Sequence, residues 1–286
     1  MIYVKQINDF PYNDNLHDIY YSTDFGKLYA NNDSVFEIIY YDDFSVYYSY
    51  IKKKMVYKNN LYYDLSGYDG YTGFYISNDT SQKKIDDFIN FFFEFAKKNN
   101  YITQFIRINP YSFNNQLLEK YFNLIYLKHT YGINTKDYSK FYNSLNANKK
   151  HKKMVKSAIN KQLEFSLEKP NSYNINIFIA LYKKTMDRLN ASSDYYYDDT
   201  YFKNILNLKN TFFEIIKDND KEITSICILL FYKKYIHYHL SANDKRYNCS
   251  QNFLFHELSN KCLLEFPNIE LIHLGGGVKD GDGLDK

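Results

Sequence analysis

Hydrophobic and polar positions follow two different periods along the first half of the chain. A period of two, typical of half-buried strands, covers 36–41 and 45–51, which a short acidic turn joins. A helical period follows in "SQKKIDDFINFFFEFAKKNN", and "YITQFIRINPYS" predicts a strand that Pro110 ends. The stretch 61–74, rich in glycine, is interpreted as a loop, and 115–135 predicts a short helix and a further strand. The apolar positions of the predicted helix are Ile85, Phe88, Ile89, Phe92, Phe95 and Ala96.

The second half predicts another series of elements. Its longest apolar region, 211–243, is divided by polar turns at 218–221 and 233–234, which predicts three consecutive antiparallel strands. The remaining predicted elements are helices at 138–162, 174–191, 198–208 and 250–266, and strands at 164–170 and 269–277.

Both halves share an order of strands, a helix and a further strand, although no letter-by-letter repeat is present. This order predicts an α+β protein of two domains of one kind, 1–130 and 131–286, with mixed, mostly antiparallel sheets and flanking helices. Two unrelated folds remain compatible with the order alone.

Composition changes this picture little. The 33 Tyr and 23 Phe occur with abundant Asn and Lys and no Trp. That bias fits AT-rich codons, so aromatic abundance is poor support for base or sugar stacking. The net charge of +3 is mixed along the chain and gives no whole-protein case for nucleic-acid binding. Three irregularly spaced cysteines predict neither a disulfide framework nor a zinc site.

The chain shows no apolar signal core at its start and no apolar stretch long enough to span a membrane. We therefore expect a cytoplasmic protein without a membrane span. Motifs for dinucleotides, ATP phosphates, zinc proteases and serine hydrolases are also absent from the sequence.

A strongly basic segment is the first candidate for chemistry. On a helix, Lys149, Lys152, Lys153 and Lys156 share one face, and no acidic residue interrupts 149–161. Such a face could hold the phosphates of a nucleotide-linked substrate, a coenzyme or RNA. The alternative is a solvated helix face.

Single residues add weaker candidates. His237 and His239 alternate on a predicted strand and would share a face, either as a general base with its neighbour or as a structural pair. Arg188 ends a predicted helix before a tyrosine cluster, where it could bind a phosphate or carboxylate, or neutralise an acidic neighbour. The glycines around Tyr71 permit close approach of a ligand, or form an ordinary turn.

Taken in order, several segments resemble one family, the FemAB-like acyltransferases. "YDLSGYDGYTGF" is similar to their aromatic, glycine-rich loop, and "FIRINPYSFN" to the strand that follows it. "HKKMVKSAINKQLEFSLEKP" resembles the basic helix and strand that open their second domain, and "LYKKTMDRLNASSDYYYDDTYF" their helix–tyrosine segment. "IHYHLSAN" and "IHLGGGV" resemble their last recognisable strands, so the similarity covers 18–286.

The resemblance implies two tandem GNAT-like domains and the transfer of an acyl or aminoacyl group to an amine, commonly on a cell-wall or surface-polysaccharide precursor such as a nucleotide-linked sugar. The implied co-substrate is acyl-CoA or aminoacyl-tRNA, with no tightly bound cofactor and no metal. Acyl-CoA is favoured because the long helical hairpin of the tRNA-dependent members is missing. The oligomeric state is left open.

The resemblance also implies roles for particular residues. Tyr238 and His239 would line the second-domain cleft, and the lysine-rich helix would contact donor or acceptor phosphates. That His239 is the catalytic base is our own hypothesis, motivated by its position. The implied substrate-binding residues are Tyr68, Tyr71, Arg188, Tyr238, Gly275 and Gly276, and the implied phosphate- or donor-binding residues are Lys152, Lys153 and Lys156.

This sequence departs from the family pattern in two places. Thr72 and Phe74 replace the usual Gly and Pro of the loop, and the family pattern continues beyond "DGLDK". We therefore expect a second domain truncated at its C-terminus. Two further functions stay open, which are an inactive FemAB-like protein that binds a nucleotide-linked sugar and an RNA-binding protein that uses the basic helix.

Overall fold

The computed structural model describes residues 1–6, 16–67, 70–111, 115–137 and 148–276. The chain divides into two compact units, Met1–Leu127 and Lys128–Lys286. Both units are α+β, each built on one mixed sheet of six strands, so the predicted fold class is confirmed. Tyr68, Gly277 and the "DGLDK" end lie outside the described residues.

The sheet of unit 1 has the order β1-β2-β3-β4-β6, with β5 paired to the first part of β3. Its pairs are antiparallel except β4 with β6, which run parallel. The elements of unit 1 are β1 Ile2–Gln6, α1 Thr23–Gly26, β2 Ser34–Tyr41, β3 Val46–Tyr57, β4 Asn60–Ser66, β5 Gly73–Ile76, α2 Gln82–Lys98, β6 Tyr101–Gln104 and α3 Asn115–Leu118.

The predicted loop at 61–74 is wrong in its first half, because 61–66 belongs to strand β4. Strand β3 also runs six residues beyond the predicted end, to Tyr57, and pairs with β4 through Asn60. Lys58 and Asn59 form the two-residue connection with φ angles of 48° and 62°. Two left-handed residues in sequence match the twist of a tight hairpin. The strand was missed because its lysines and tyrosines lack a simple apolar alternation.

Helix α2 covers the sheet of unit 1. The Ser81 hydroxyl accepts a hydrogen bond from the backbone N–H of Lys84 and begins the helix. Its apolar positions fall on the predicted face, and four of them are buried in the core against β3, β5 and β4. These four residues are Ile85, Phe88, Ile89 and Phe92.

The sheet of unit 2 has the order β7-β12-β11-β10-β9-β8, in which only the β11–β12 pair is parallel. The three antiparallel strands predicted within 211–243 are confirmed. The elements of unit 2 are β7 Tyr131–Asn134, α4 Lys149–Asn160, β8 Glu164–Glu168, α5 Ser172–Leu189, α6 Asp199–Leu206, β9 Thr211–Lys217, β10 Ile223–Tyr232, β11 Tyr235–Asn243, α7 Ser250–Glu265 and β12 Leu271–Gly275.

Helices cover both faces of this second sheet. Phe212 packs against Phe231 in the cluster that also contains residues of α4 and α7. Its neighbour Phe213 points to the other face and contacts Phe178 of α5, which in turn contacts Phe202 of α6. Because successive side chains of a strand alternate between faces, α4 and α7 lie on one side and α5 and α6 on the other.

Candidate functional site

Strand β11 has a register shift close to the end of its pairing with β12. Its parallel ladder with β12 is short and ends where His237 lies opposite His273, although β11 continues to Asn243. On its other edge, Leu229 pairs with Tyr238 while Ile228 pairs with Leu240, so His239 is an extra residue in the strand. Such a bulge bends a strand and redirects its side chains. The two parallel strands thus stop pairing next to the bulge.

His239 is held in place by a hydrogen bond across to α6. Its Nε2 lies 2.9 Å from the Tyr201 hydroxyl. Burial, and secondarily the neighbouring His237, lower the pKa of His239 to about 3. The imidazole is therefore uncharged at neutral pH, although the side chain keeps partial exposure. A base with so low a pKa holds a proton poorly, which favours a positioning role over general-base catalysis.

Tyr201 was not among the predicted site residues. The Asp198 carboxylate caps α6 by accepting from the backbone N–H of Tyr201 at 2.6 Å. Stacking on Tyr197, with ring centroids 4.3 Å apart, further fixes the phenol. The signal in the sequence was the tyrosine cluster "DYYYDDTYF", which gave no indication of which ring meets β11.

Arg188 belongs to α5, and its side chain contacts the C-terminal end of β11. Its Nη2 donates to the Asn243 side-chain oxygen at 2.9 Å, and Thr185, one turn earlier on α5, accepts from the Asn243 backbone N–H at 3.3 Å. Among the described residues Arg188 has no ion pair, and its side chain is exposed. The guanidinium can therefore offer further donors to an anionic group.

His237 and His273 form a buried pair below this region. Their Nδ1 atoms are 3.3 Å apart across the last rung of the parallel ladder, so one ring donates and the other accepts. No cluster of three or more potential metal ligands occurs in the part of the chain that the structure describes.

Tyr238 belongs to the opposite face of the sheet. Its hydroxyl accepts from Gln251 of α7 at 2.8 Å, and its ring packs on Phe255. Burial raises the pKa of this phenol well above its usual value. The structure thus separates Tyr238 from His239, instead of bringing both to one cleft as expected.

The lysine-rich helix α4 lies on that same opposite face. His151, Val155 and Ala158 are buried towards the sheet and α7, while Lys152, Lys153 and Lys156 are exposed. These three lysines form no ion pair within the described ranges. The sheet stands between them and Arg188, so the structure does not unite the two basic features in one site.

The terminal glycines have a structural reason for being glycine. Gly275 has a left-handed φ of +77°, and a Cβ at Gly276 would lie 2.3 Å from the backbone oxygen of His129. The close approach at Gly276 is thus to the chain itself. Their binding of substrate stays a prediction.

Tyr71 lies in unit 1, in the connection from β4 to β5. Its ring contacts that of Tyr20 edge-on at 5.6 Å. The preceding Gly70 has φ of +124°, and a Cβ there would lie 2.2 Å from the Tyr20 ring. The glycine loop therefore packs against Tyr20, an aromatic residue of its own unit. Substrate binding by Tyr71 also stays a prediction.

Comparison with known proteins shows the fold. No protein-family model and no curated protein matches the sequence. The solved structure of FemX superposes with a TM-score of 0.66 at 12% identity, over 93% of this chain and 85% of that one. L-PGS from Bacillus licheniformis matches with a TM-score of 0.55 at 14% identity, over 92% and 76% of the two chains.

The C-terminal domain of a putative lysylphosphatidylglycerol synthetase from Agrobacterium fabrum matches with a TM-score of 0.54 at 12% identity, over 88% of this chain and 73% of that one. The chain thus shares the fold of the FemX structure. At this level of identity the likeness shows fold alone.

Proposed function

We propose that this protein is an N-acyltransferase that moves an acyl or aminoacyl group onto an amine of a cell-wall or surface-polysaccharide precursor. The observation that carries the proposal is the interrupted pairing of β11 and β12 beside the bulge at His239. Parallel strands that separate at their carboxyl ends leave a crevice, which is where open α/β sheets bind ligands. The solved structures with this fold supply the reaction class.

The chemistry asks little of side chains. The amine nitrogen attacks the donor carbonyl carbon, and the bond from that carbon to the coenzyme sulfur or to the tRNA ribose oxygen breaks. The leaving sulfur or oxygen takes up the proton that the nitrogen loses. The rungs between β11 and β12 end at His237, and backbone N–H groups of β11 beyond that rung would stabilise the developing oxyanion. Uncharged His239 and the Tyr201 hydroxyl would orient the reacting groups rather than take the proton outright.

Arg188 would bind the acceptor through its phosphates, since a fork of donors suits phosphate oxygens. The donor is acyl-CoA or aminoacyl-tRNA. In the second case α4 would contact RNA on the other face of the sheet, because its exposed lysines have no ion-pair partner among the described residues. RNA binding through α4 is therefore the second candidate function.

A transfer assay with two donors tests the proposal. The purified protein is incubated with a labelled acyl-CoA or a labelled aminoacyl-tRNA mixture, together with nucleotide-linked amino-sugar precursors, and products are identified by mass spectrometry. We expect one donor to label an amine. Binding of precursor without transfer from either donor would support an inactive binding protein instead.

Replacing Arg188 should weaken binding of the acceptor. Loss of charged hydrogen bonds to phosphate predicts that Arg188→Ala raises KM about 10- to 100-fold with kcat little changed, and that Arg188→Lys recovers part of the loss. Arg246→Ala is the matched control, because that guanidinium already binds Asp244. An equal effect of both substitutions on KM would contradict the assigned role.

His239 should contribute to catalysis by orienting the reacting groups and not by accepting a proton. Because its pKa is about 3, the profile of kcat/KM between pH 5 and pH 8 should keep its shape in His239→Gln while kcat falls about tenfold or more. Tyr201→Phe should show a similar loss. Disappearance of an acid limb of the wild-type profile in His239→Gln would restore the general-base role, and full activity of His239→Ala would exclude both roles.

A further inference from the structure

The tip of the β3–β4 hairpin has an unusual surface. Every residue from Lys53 to Leu61 is exposed, and four large apolar side chains lie within this stretch. Val56 is 74% exposed and Tyr57 is 63% exposed. We define the hairpin tip as residues 53–61, whose exposed apolar members are Met55, Val56, Tyr57 and Leu61.

Apolar side chains occupy both faces of the tip. The register places Val56 opposite Leu61 on one face and Met55 opposite Tyr62 on the other. Among the described residues no element covers either face, because every residue from Lys53 to Leu61 is exposed. The tip is therefore a projection of unit 1 and not one side of a groove. From Lys53 to Tyr57 the strand extends about 13 Å. This shape suits insertion into a soft surface better than docking against a flat protein face.

Lysines surround these apolar residues. Lys53, Lys54 and Lys58 are exposed, and no acidic residue occurs between 51 and 63. Within the described ranges none of the three forms an ion pair. Lys54 reaches the Asn32 backbone oxygen at 3.5 Å, and Lys58 lies 5.3 Å from the Tyr57 ring. Asp64, opposite Lys53 at the base of the hairpin, accepts a hydrogen bond from Thr103.

We propose that the β3–β4 hairpin tip inserts into the interfacial region of an anionic lipid membrane. Transfer of the apolar side chains from water to the boundary between headgroups and acyl chains favours membrane binding. Attraction between the lysines and anionic headgroups favours it further. We choose a lipid surface as the partner because the tip projects from the protein and because its charged residues, Lys53, Lys54 and Lys58, are all positive. It goes beyond the transferase proposal and does not depend on transfer activity.

No helix among the described residues has the length and apolar character needed to cross a bilayer. The hairpin would accordingly hold the protein at the membrane reversibly. Three lysines at about fivefold each should contribute on the order of 100-fold to partitioning onto anionic vesicles.

The lack of tryptophan in the chain allows a direct test on the full-length protein. Tyr57→Trp places the sole tryptophan at the tip, and Tyr173→Trp places it at an exposed position of α5 as the matched control. With vesicles of equimolar phosphatidylcholine and phosphatidylglycerol, emission of Tyr57→Trp should shift to shorter wavelength. Emission of Tyr173→Trp, and of both with phosphatidylcholine alone, should not shift.

Sedimentation with the same vesicles separates the two contributions. The triple variant Lys53→Gln, Lys54→Gln, Lys58→Gln should bind on the order of 100-fold more weakly. Val56→Asn with Tyr57→Asn should bind about tenfold more weakly or worse. Since these side chains are exposed, circular dichroism should confirm an unchanged fold.

Three outcomes would overturn the proposal. One is absence of vesicle binding. Another is a loss of vesicle binding as large as that of the hairpin-tip variant when Lys149, Lys152 and Lys153 of α4 are changed to Gln, which would show non-specific charge attraction. The last is self-association in sedimentation velocity that Val56→Asn with Tyr57→Asn abolishes while vesicles are not bound, which would assign the tip to a contact between two copies of this chain.

Discussion

Glu37→Ala is expected to destabilise unit 1 by about 3–5 kcal/mol, the usual cost of removing one partner from a buried ion pair. Glu37 is 3% exposed. One carboxylate oxygen accepts from the hydroxyls of Tyr50 and Tyr101, each at 2.6 Å, and the other accepts from Lys52 Nζ at 2.8 Å. The substitution would leave an ammonium group and two phenols of β3 and β6 without their acceptor.

The loss of stability caused by Glu37→Ala should be confined to the sheet of unit 1. Hydrogen–deuterium exchange of β2, β3 and β6 should therefore accelerate by about two to four orders of magnitude where exchange requires opening of the sheet. Asp87→Ala is the control in the same unit, because its pair with Lys83 is on the surface of α2 and should be worth at most about 1 kcal/mol. A change for Glu37→Ala as small as that of the control would show that the network is dispensable.

Glu214→Gln is expected to stabilise unit 2 increasingly as the pH rises. Glu214 of β9 is 0% exposed, and neither carboxyl oxygen has a hydrogen-bond partner among the described residues. Burial, and secondarily the charge of Glu257, raise the pKa of Glu214 well above its usual value. A carboxyl group so placed keeps its proton in the folded protein under conditions in which the unfolded chain releases it.

The sign follows from proton binding. Below the unfolded pKa, about 4.3, both states are protonated and Glu214 causes no pH dependence. Above that pH the unfolded state binds fewer protons, so the free energy of unfolding falls by up to about 1.4 kcal/mol per pH unit until the folded group ionises. Gln keeps the shape and cannot ionise, so the difference between variant and wild type should grow over this window.

Urea unfolding of unit 2 at several pH values measures this effect. Glu222→Gln is the matched control, because Glu222 is an exposed residue at the β9–β10 turn. It should preserve the wild-type pH profile, whereas Glu214→Gln should flatten it. A difference in stability between Glu214→Gln and wild type that does not grow with pH would show that the fold does not hold the Glu214 carboxyl group protonated.

The proposed site depends on contacts that no local pattern contains. Arg188 meets Asn243, and Tyr201 meets His239, across 55 and 38 residues of sequence. The bulge at His239 exists only in its register with β10. The sequence suggested Arg188 and His239 as candidates, but Tyr201 and Asn243 could be recognised only once α5, α6 and β11 were packed together.

The lysines of α4 show a different case, in which the local pattern was predictable but its position in the fold was not. Their shared face on α4 was predictable from helical periodicity, since neighbours three and four residues apart lie on one side. Which side of the sheet α4 covers depends on the burial of Val155 and Ala158 against β10 and β11. That packing separates the lysines from Arg188, although both are basic features of the same domain.

The sequence by itself determined the α+β class, helix α2 and the three strands of 211–243, because periodicity of apolar residues is a local property that burial selects. It also supplied the resemblance from which transfer of an acyl or aminoacyl group was expected. The tertiary structure alone decided that 61–66 is a strand, that β11 is bulged, and that the carboxyl group of Glu37 has hydrogen-bond and ion-pair partners whereas that of Glu214 is buried without them among the described residues. Pairing, register and burial arise between residues far apart in the chain, and the pattern within a single segment does not contain them.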